Sequence, residues 1–532
     1  MVGLKPGLTI AEKQTAAASK HSTLKRGSAG GQNSHIFEHM NASRLTRRSV
    51  LKLLAAGSGA AVCGSVGASF LEAAERNDTT DLAELDLAEV SRRVRDRSLL
   101  PVELTNACLQ RIERFNPRLN AFITVTTGLA LAEARAAEQE VAKGNWRGPL
   151  HGIPTALKDN IDTAGVRTTA ASAVFENRVP AEDAEVVRRL KAAGAVFLGK
   201  LNMHEFALGT TSAISHFGPV HNPWDLARVA GGSSGGTGAA VAASLCFGAV
   251  GTDTGGSNRI PAACCGVVGL KPSYSVVSTR GVIPVSGAFD HVGPMCRTVR
   301  DTALLFRAMT DHRVAAEFKP EALPTVSKLR LGVIRDPRGL CDDAPVDPEI
   351  KAAVETAIDA LRPLVVEVRE MELPHPDRLG RLIDFEFYAF HRRHLAERPE
   401  RYDPRTRATI LDGRDMNEEE AAKLRHDLDQ HRAAIKDAFA QTDAVILPTL
   451  PQLPLTIQEA TKPFALSACT FAFSLGGLPS LSVPCVFSRS GLPIGMLISG
   501  PPLSEPILFA LALTYESLTN WHRRRPSLRR TA

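Results

Sequence analysis

Apolar positions recur at helical spacing early in the chain. Leu82, Leu85, Leu87, Val90 and Val94 are followed by Leu104, Cys108 and Ile112, so Asp81–Arg114 is predicted helical. Ala130–Gly144, rich in Ala and Glu, predicts a further helix. The run from Pro154 to Asn160 predicts a short buried strand ending in a loop. Asp183–Ala193 predicts an amphipathic helix closed by Gly194, with an apolar strand at Ala195–Leu198 after it. Further on, the pattern predicts a strand between Leu329 and Ile334 and a helix over Asp347–Leu361. Asp377–Gln441 is strongly charged and poor in Gly, a helical insertion or cap. Ala444–Gly500 returns to short apolar strands punctuated by Pro and Gly, completing the sheet. Helices alternating with short apolar strands indicate an α/β protein. Pro/Gly-rich linkers between domains are missing, and no internal repeat follows residue 75.

The first 68 residues read differently. Residues 1–40 are polar and lack a hydrophobic period. Thr46-Arg47-Arg48-Ser49-Val50-Leu51-Lys52 then precedes an apolar, small-residue stretch over about 53–71. Twin arginines, an apolar core and small residues near Ala68 are the marks of a twin-arginine export signal, spanning about 40–68. This predicts a periplasmic or secreted protein, with translation starting at Met40. The stretch is too rich in Gly and Ser for a stable membrane span. Ala60-Ala61-Val62 fits a lipobox before Cys63 poorly. Residues 69–532 are expected to form one domain, with the helical cap at about 346–442.

Composition narrows the function. The 532 residues carry 63 basic and 57 acidic side chains, a net charge of +6, too weak over this length to indicate nucleic-acid binding. The nine cysteines include no C-x-x-C pair, which argues against a zinc ribbon or a disulfide framework.

Candidate chemistry concentrates in two segments, Gly231-Gly232-Ser233-Ser234-Gly235-Gly236-Thr237-Gly238 and Gly251-Thr252-Asp253-Thr254-Gly255-Gly256-Ser257-Asn258-Arg259. Glycines let backbone N–H groups approach a ligand closely. The apolar run Gly238–Phe247 predicts a tightly packed helix with Gly235-Gly236 at its N-terminus. A flexible linker would not lead directly into such a helix, and no G-K-[ST] follows that would make a phosphate loop. Gly231–Gly235 matches the string G-x-S-x-G, but Asn222-Pro223-Trp224-Asp225 and Arg228 do not read as the buried strand that a nucleophile elbow requires. Ser257 lies outside that string, yet the amides of its two preceding glycines could receive an oxyanion. Its base need not be His, since a buried, uncharged lysine can serve. Lys158, Lys200 and Lys271 all remain candidates on these grounds.

Together these segments resemble the amidase signature family. The similarity extends over His151–Thr169, Asp183–Ser212, Asn222–Ala243, Gly251–Pro272, Gly281–Asp301 and the tail segments Asp443–Pro448, Gly477–Pro484 and Gly491–Gly500. The resemblance implies a central mixed β-sheet covered by helices on both faces. It implies amide hydrolysis through a serine acyl-enzyme, with Ser257 as nucleophile, Ser233 as bridging serine in a cis peptide and Lys158 as base. Backbone amides of Thr254, Gly255, Gly256 and Ser257 would form the oxyanion hole, while Ser234, Asp253 and Arg259 would hold the loops, Arg259 by an ion pair rather than by substrate contact. It implies a small-molecule amide substrate and neither metal nor organic cofactor. A homodimer stays open. His151, His204 and His221 are expected to be structural. Two other readings share the signature: an ammonia-producing amidotransferase subunit working with partner chains, and a catalytically silent binding protein. Three positions depart from the family pattern: Asn258, where an aliphatic residue is usual; Ser474, where Asn is frequent; and Leu497, where Gln is common. Phe385, Phe387, Tyr388 and Phe390 sit at helical spacing and are expected to be core rather than pocket wall.

Overall fold

The computed structural model describes residues 82–335, 345–375, 378–460 and 466–528. The expected export signal, Met40, Arg47, Arg48, Ala68 and Cys63 lie outside the described residues. The strands in chain order are β1 (Phe122–Val125), β2 (Pro154–Lys158), β3 (Val196–Leu201), β4 (His221–Asn222), β5 (Asp225–Val229), β6 (Gly248–Asp253), β7 (Val268–Lys271), β8 (His291–Cys296), β9 (Arg330–Val333), β10 (Glu367–Glu370), β11 (Ala444–Pro448), β12 (Ser480–Phe487) and β13 (Pro493–Ser499). Eleven of them make one sheet in the order β1-β3-β2-β6-β8-β7-β12-β13-β11-β9-β10, and β4 and β5 form a separate hairpin. β2 lies parallel to both β3 and β6, whereas β6–β8, β7–β12 and β12–β13 are antiparallel. The sheet is therefore mixed, and helices flank it, as the α/β reading expects. C-terminal strands β12 and β13 lie between β7 and β11, so the chain's two halves share one core.

Local sequence explains the elements that position the site. β2 is buried along its whole length, as is usual for a parallel strand covered on both faces, so it shows no polar alternation. The parallel pair β2–β3 requires a crossover, supplied in part by the helix Glu185–Ala192. The helix Gly235–Ala242 is buried at every position and begins at Gly235 itself, three residues before the predicted start. A Cβ on Gly236 would lie 2.3 Å from Asn202 O and 2.5 Å from Ala121 O, so glycine there allows backbone to meet backbone.

Two features differ from the sequence pattern. A strand does precede the Gly-Ser segment, but β5 is half-exposed and belongs to the small hairpin, not the sheet. Its polarity has a cause: Arg228 bonds to Asp225 and to Pro454 O. The predicted cap region also contributes a strand, because β10 extends the sheet edge alongside β9. Its Glu367-Val368-Arg369-Glu370 sequence hides it, since edge strands are commonly blunted by charge. The rest of the cap is helical, as expected: Arg381–Glu397, Pro404–Leu411 and Glu418–Ala438. The last begins with a reciprocal cap between Asn417 and Glu420. Phe387 is buried among Phe206, His391, Tyr402 and Ile410, a core position. Among the described residues no helix is long and apolar enough to cross a membrane. The described cysteines are buried.

Candidate active site

The site gathers where β2 and β6 end side by side. The two strands run parallel with Leu157 opposite Val250, so Lys158 emerges next to Thr252. Lys158 is fully buried. Its Nζ lies 2.7 Å from Ser233 Oγ, 2.7 Å from Thr252 Oγ1 and 3.4 Å from Thr252 O. Asn160 Nδ2 donates to the same Thr252 hydroxyl oxygen at 3.1 Å. None of these neighbours is a carboxylate. Burial pulls the Lys158 amine down to about 7, with Asp253 and Asp290 opposing the shift from farther away. Lys158 Nζ is thus within hydrogen-bond reach of three uncharged oxygens and of no carboxylate.

The other two lysines left open by sequence lie in different surroundings. Lys200 Nζ donates to Ile161 O at 2.7 Å and Thr168 Oγ1 at 2.6 Å, with Asp159 at 3.6 Å. Lys271 Nζ donates to Pro272 O at 3.0 Å and lies 3.2 Å from His291 Nε2. Only Lys158, of the three, has a hydrogen bond to a serine of the Gly-Ser segments.

Ser233 follows a cis Gly232–Ser233 peptide bond, at the position the resemblance implies. Its carbonyl accepts from His204 N–H at 3.0 Å and from Ser212 Oγ at 3.2 Å. Ser234 N–H donates to Ser257 O at 3.2 Å, and Ser234 Oγ donates to Thr252 O at 3.1 Å, so the two serine segments are bonded together. Ser257 is only slightly exposed, in a loop between β6 and the helix Arg259–Cys265.

A buried ion pair organises that loop. Arg259 Nε and Nη2 donate to the two oxygens of Asp253 at 3.0 and 2.9 Å, both residues being fully buried. Burial alone would raise the Asp253 carboxyl, but Arg259, Lys271 and the Asn258 N–H outweigh it and hold the group well below the usual carboxylate range. Arg259 also donates to Thr470 O and to Ser474 Oγ, which explains the small hydroxyl residue at 474. Asn258 packs inward, donating to Leu270 O at 3.2 Å and accepting from Ser234 Oγ at 3.3 Å. Leu497 is a buried residue of β13 opposite Leu447, part of the core.

One expectation needs correction. The Gly256 N–H donates to Asp253 Oδ1 at 2.8 Å, so in this conformation it is not free to receive an oxyanion. Among the described residues, no group accepts from the N–H of Thr254, Gly255 or Ser257, which leaves these three. Thr470 Oγ1 fixes the loop from outside by donating to Gly255 O at 2.8 Å. Thr252, Asn160, Ser212 and Thr470 escaped the sequence reading. Thr252 alone had a local signal, its place on the strand paired with β2. The three histidines are tied into the scaffold: His151 against Glu140 and Arg147 N–H, His204 Nδ1 to Ser212 N–H, His221 Nδ1 to Leu226 O.

A cavity of about 650 Å³ lies within the helical cap, lined by residues between His375 and Ala434. Leu379, Met416 and Leu424 form its apolar floor, and Arg378, Arg381 and Lys423 stand on its rim with Glu420 and Asp427. The ring of Phe471 packs with that floor and stands against Gly255, where a Cβ would come within 3.1 Å of it. Among the described residues no cluster of His, Cys, Asp or Glu could hold a metal ion.

Comparison with known proteins shows the family and the fold. The family model Amidase matches residues 103–509. The chain is 38% identical over 491 residues to a glutamyl-tRNA(Gln) amidotransferase subunit from Moorella thermoacetica, covering 84% of this chain and 99% of that one. Among solved structures, the native peptide amidase from Stenotrophomonas maltophilia superposes with a TM-score of 0.72 at 32% identity, covering 85% of this chain and 100% of that one. A 6-aminohexanoate cyclic dimer hydrolase gives a TM-score of 0.73 at 29% identity, over 84% and 99%.

Removing one member of a buried ion pair strands the other, at about 3–5 kcal/mol. Arg259→Met is therefore expected to lower unfolding free energy in urea by about that amount. Asp253→Asn combined with Arg259→Met should recover part of the loss. A single variant within about 1 kcal/mol of wild type, the size of an exposed pair, would show that the pair does not organise the loop.

Proposed function

Since the chain belongs to the amidase family, and is an enzyme that hydrolyses carboxylic amides, we propose that Ser257, Ser233 and Lys158 carry the reaction. The observation that supports this most is the carboxylate-free, buried contact of Lys158 Nζ with Ser233 Oγ at 2.7 Å. Neutral Lys158 accepts the Ser233 proton as Ser233 accepts one from Ser257. Ser257 Oγ attacks the amide carbonyl carbon, and the carbonyl electron pair moves onto oxygen. The free amides of Thr254, Gly255 and Ser257 receive that oxyanion, an arrangement in which losing one donor typically costs about 10²–10³ in rate. As the tetrahedral species collapses, Lys158 returns its proton through Ser233 to the leaving nitrogen, and the C–N bond breaks. Water then attacks the acyl carbon while giving a proton to Lys158 through Ser233; the bond to Ser257 Oγ breaks, Ser257 takes that proton back by the same path, and the acid leaves.

Leu379, Met416 and Leu424 line the cap cavity and pack with Phe471, and this contact supports that cavity as the place for the bulk of the substrate. Its volume of about 650 Å³ fits a small or medium amide with an apolar body and a polar end. A second reading, an ammonia-producing amidotransferase subunit, draws support from the 38% identity to one such protein over 99% of its length. Stable co-purification with partner chains would favour it. The twin-arginine segment points the other way, toward an exported amidase acting alone.

Fluorophosphonate labelling followed by peptide mass spectrometry tests the triad. The adduct is expected on Ser257, with labelling and amide turnover lost by at least about a thousandfold in Lys158→Met, in the range seen when a nucleophile's base is removed. An adduct elsewhere, or an unimpaired Lys158→Met, would overturn the assignment and bring the silent-fold reading forward. Export is tested by fractionating cells that express the full chain. Arg47→Lys with Arg48→Lys should hold the enzyme in the cytoplasm, and equal export of both forms would refute the signal.

A further inference from the structure

The oxyanion-side loop has a second anchor besides the Asp253–Arg259 pair. Thr254 Oγ1 donates to Asp290 Oδ1 at 2.5 Å. The other oxygen of Asp290 accepts from Val285 N–H at 2.9 Å and Ser286 N–H at 3.1 Å. Ser286 Oγ donates in turn to Glu386 Oε2 at 2.5 Å, and Ala288 N–H donates to the same oxygen at 3.2 Å. Glu386 sits on the cap helix Arg381–Glu397, whose first residue stands on the cavity rim. A continuous chain of hydrogen bonds therefore runs from the cap, through the 285–290 loop, to the residue that opens the oxyanion loop.

We propose that Asp290 is a positioning residue for amide hydrolysis: through the Thr254 hydroxyl it aims the free N–H groups of Thr254 and Gly255, and Glu386 ties this anchor to the cap. The inference rests on Ser257 being the nucleophile. Asp290 is buried and surrounded by donors, an arrangement suited to a carboxylate acting only as acceptor. Burial pushes its carboxyl up to about 6, against the pull of the Thr254, Val285 and Ser286 hydrogen bonds and of Lys158, which leaves it mostly ionised at neutral pH. Gly255 O is held by Thr470 and Gly256 N–H by Asp253, so Thr254 is the part of the loop whose direction depends on Asp290. Small errors in that direction matter, because a displacement of about 1 Å costs about a hundredfold in rate.

Inactivation of the full-length enzyme by a fluorophosphonate separates positioning from folding and from binding. Its phosphonyl oxygen must enter the same hole. Thr254→Val and Asp290→Asn are expected to slow the first-order inactivation step by about 10- to 100-fold, with the inhibition constant nearly unchanged and with Thr254→Val, the milder change to the packing, showing the slowing at a melting temperature close to wild type. Thr254→Ser, which keeps the hydroxyl, should recover most of the rate that Thr254→Val loses. The double variant Thr254→Val/Asp290→Asn should be no slower than the slower single variant, because both remove one interaction. Glu386→Gln should shift the rate in the same direction by less. Multiplying losses in the double variant, a loss confined to the inhibition constant, or a Thr254→Ser as slow as Thr254→Val would each overturn the proposal. Wild type modified on Ser257 alongside an unimpaired Thr254→Val overturns this inference alone; wild type unmodified on Ser257 overturns the catalytic reading and the inference with it.

Discussion

Lys158 is a cation-forming side chain in a place where a cation is expensive. Its three hydrogen-bonding neighbours are the Ser233 hydroxyl and the hydroxyl and carbonyl of Thr252. Burying an ammonium without a paired anion costs more than these dipoles return, so the amine sheds its proton near neutrality instead. The nearby carboxylates are occupied. Asp253 is matched by Arg259 in a two-point pair, and Asp290 is bound by Thr254 and two backbone amides. Lys200 provides the contrast within the same sheet: it is equally buried, and burial lowers its amine too, but Asp159 stands 3.6 Å away and opposes the shift. The carboxylate beside one lysine and its absence beside the other are the difference between the two sites.

Close packing makes this arrangement possible. Lys158 ends a strand that is buried on both faces, and the Gly-Ser segment must pass directly over that strand end for Ser233 to reach it. Glycine supplies the clearance. A Cβ on Gly232 would lie 2.7 Å from the backbone nitrogens of both Thr211 and Ser212, and one on Gly251 would lie 2.3 Å from Asn258 Oδ1. The same tightness fixes the loop after β6. Asp253 takes the Gly256 and Asn258 N–H groups, Thr470 the Gly255 carbonyl and Asp290 the Thr254 hydroxyl, and among the described residues no group accepts from the N–H of Thr254, Gly255 or Ser257. The helical cap stands over this loop through Phe471 and reaches it through Glu386 and Ser286.

Much of this was legible in the chain itself. The helices at 87–119, 185–192 and 348–361, strands β2, β3 and β9, and both Gly-Ser segments follow from periodicity and punctuation. Lys158, Ser233 and Ser257 could be named from the motifs, yet the residues alone could not rank Lys158 above Lys200 and Lys271, because what separates them is the partner each meets across the sheet. The anchors were less visible for the same reason. Thr470 lies 215 residues from Gly255, and Asp290 lies 36 from Thr254, so no local pattern links them. The Gly256 amide looked free in sequence and is spent on Asp253, three residues earlier in its own turn. Strand β10 was hidden by edge charges, and β5 by an Asp225–Arg228 pair on a half-exposed hairpin. Phe387 could be placed correctly because an aromatic at helical spacing on an insertion is usually core.

The central claim is that burial brings the loss of the Lys158 proton down to near neutral pH. NMR titration of the protein carrying lysine labelled with carbon-13 at Cε, with the resonance assigned by its loss in Lys158→Met, reads this directly. The account predicts a midpoint near 7 for Lys158, against 10.5 for an ordinary lysine, with the amine protonated below that midpoint and neutral above it. A Lys158 resonance that titrates near 10.5 would mean a protonated ammonium beside Ser233 at neutral pH, and the proton relay built on it would fail.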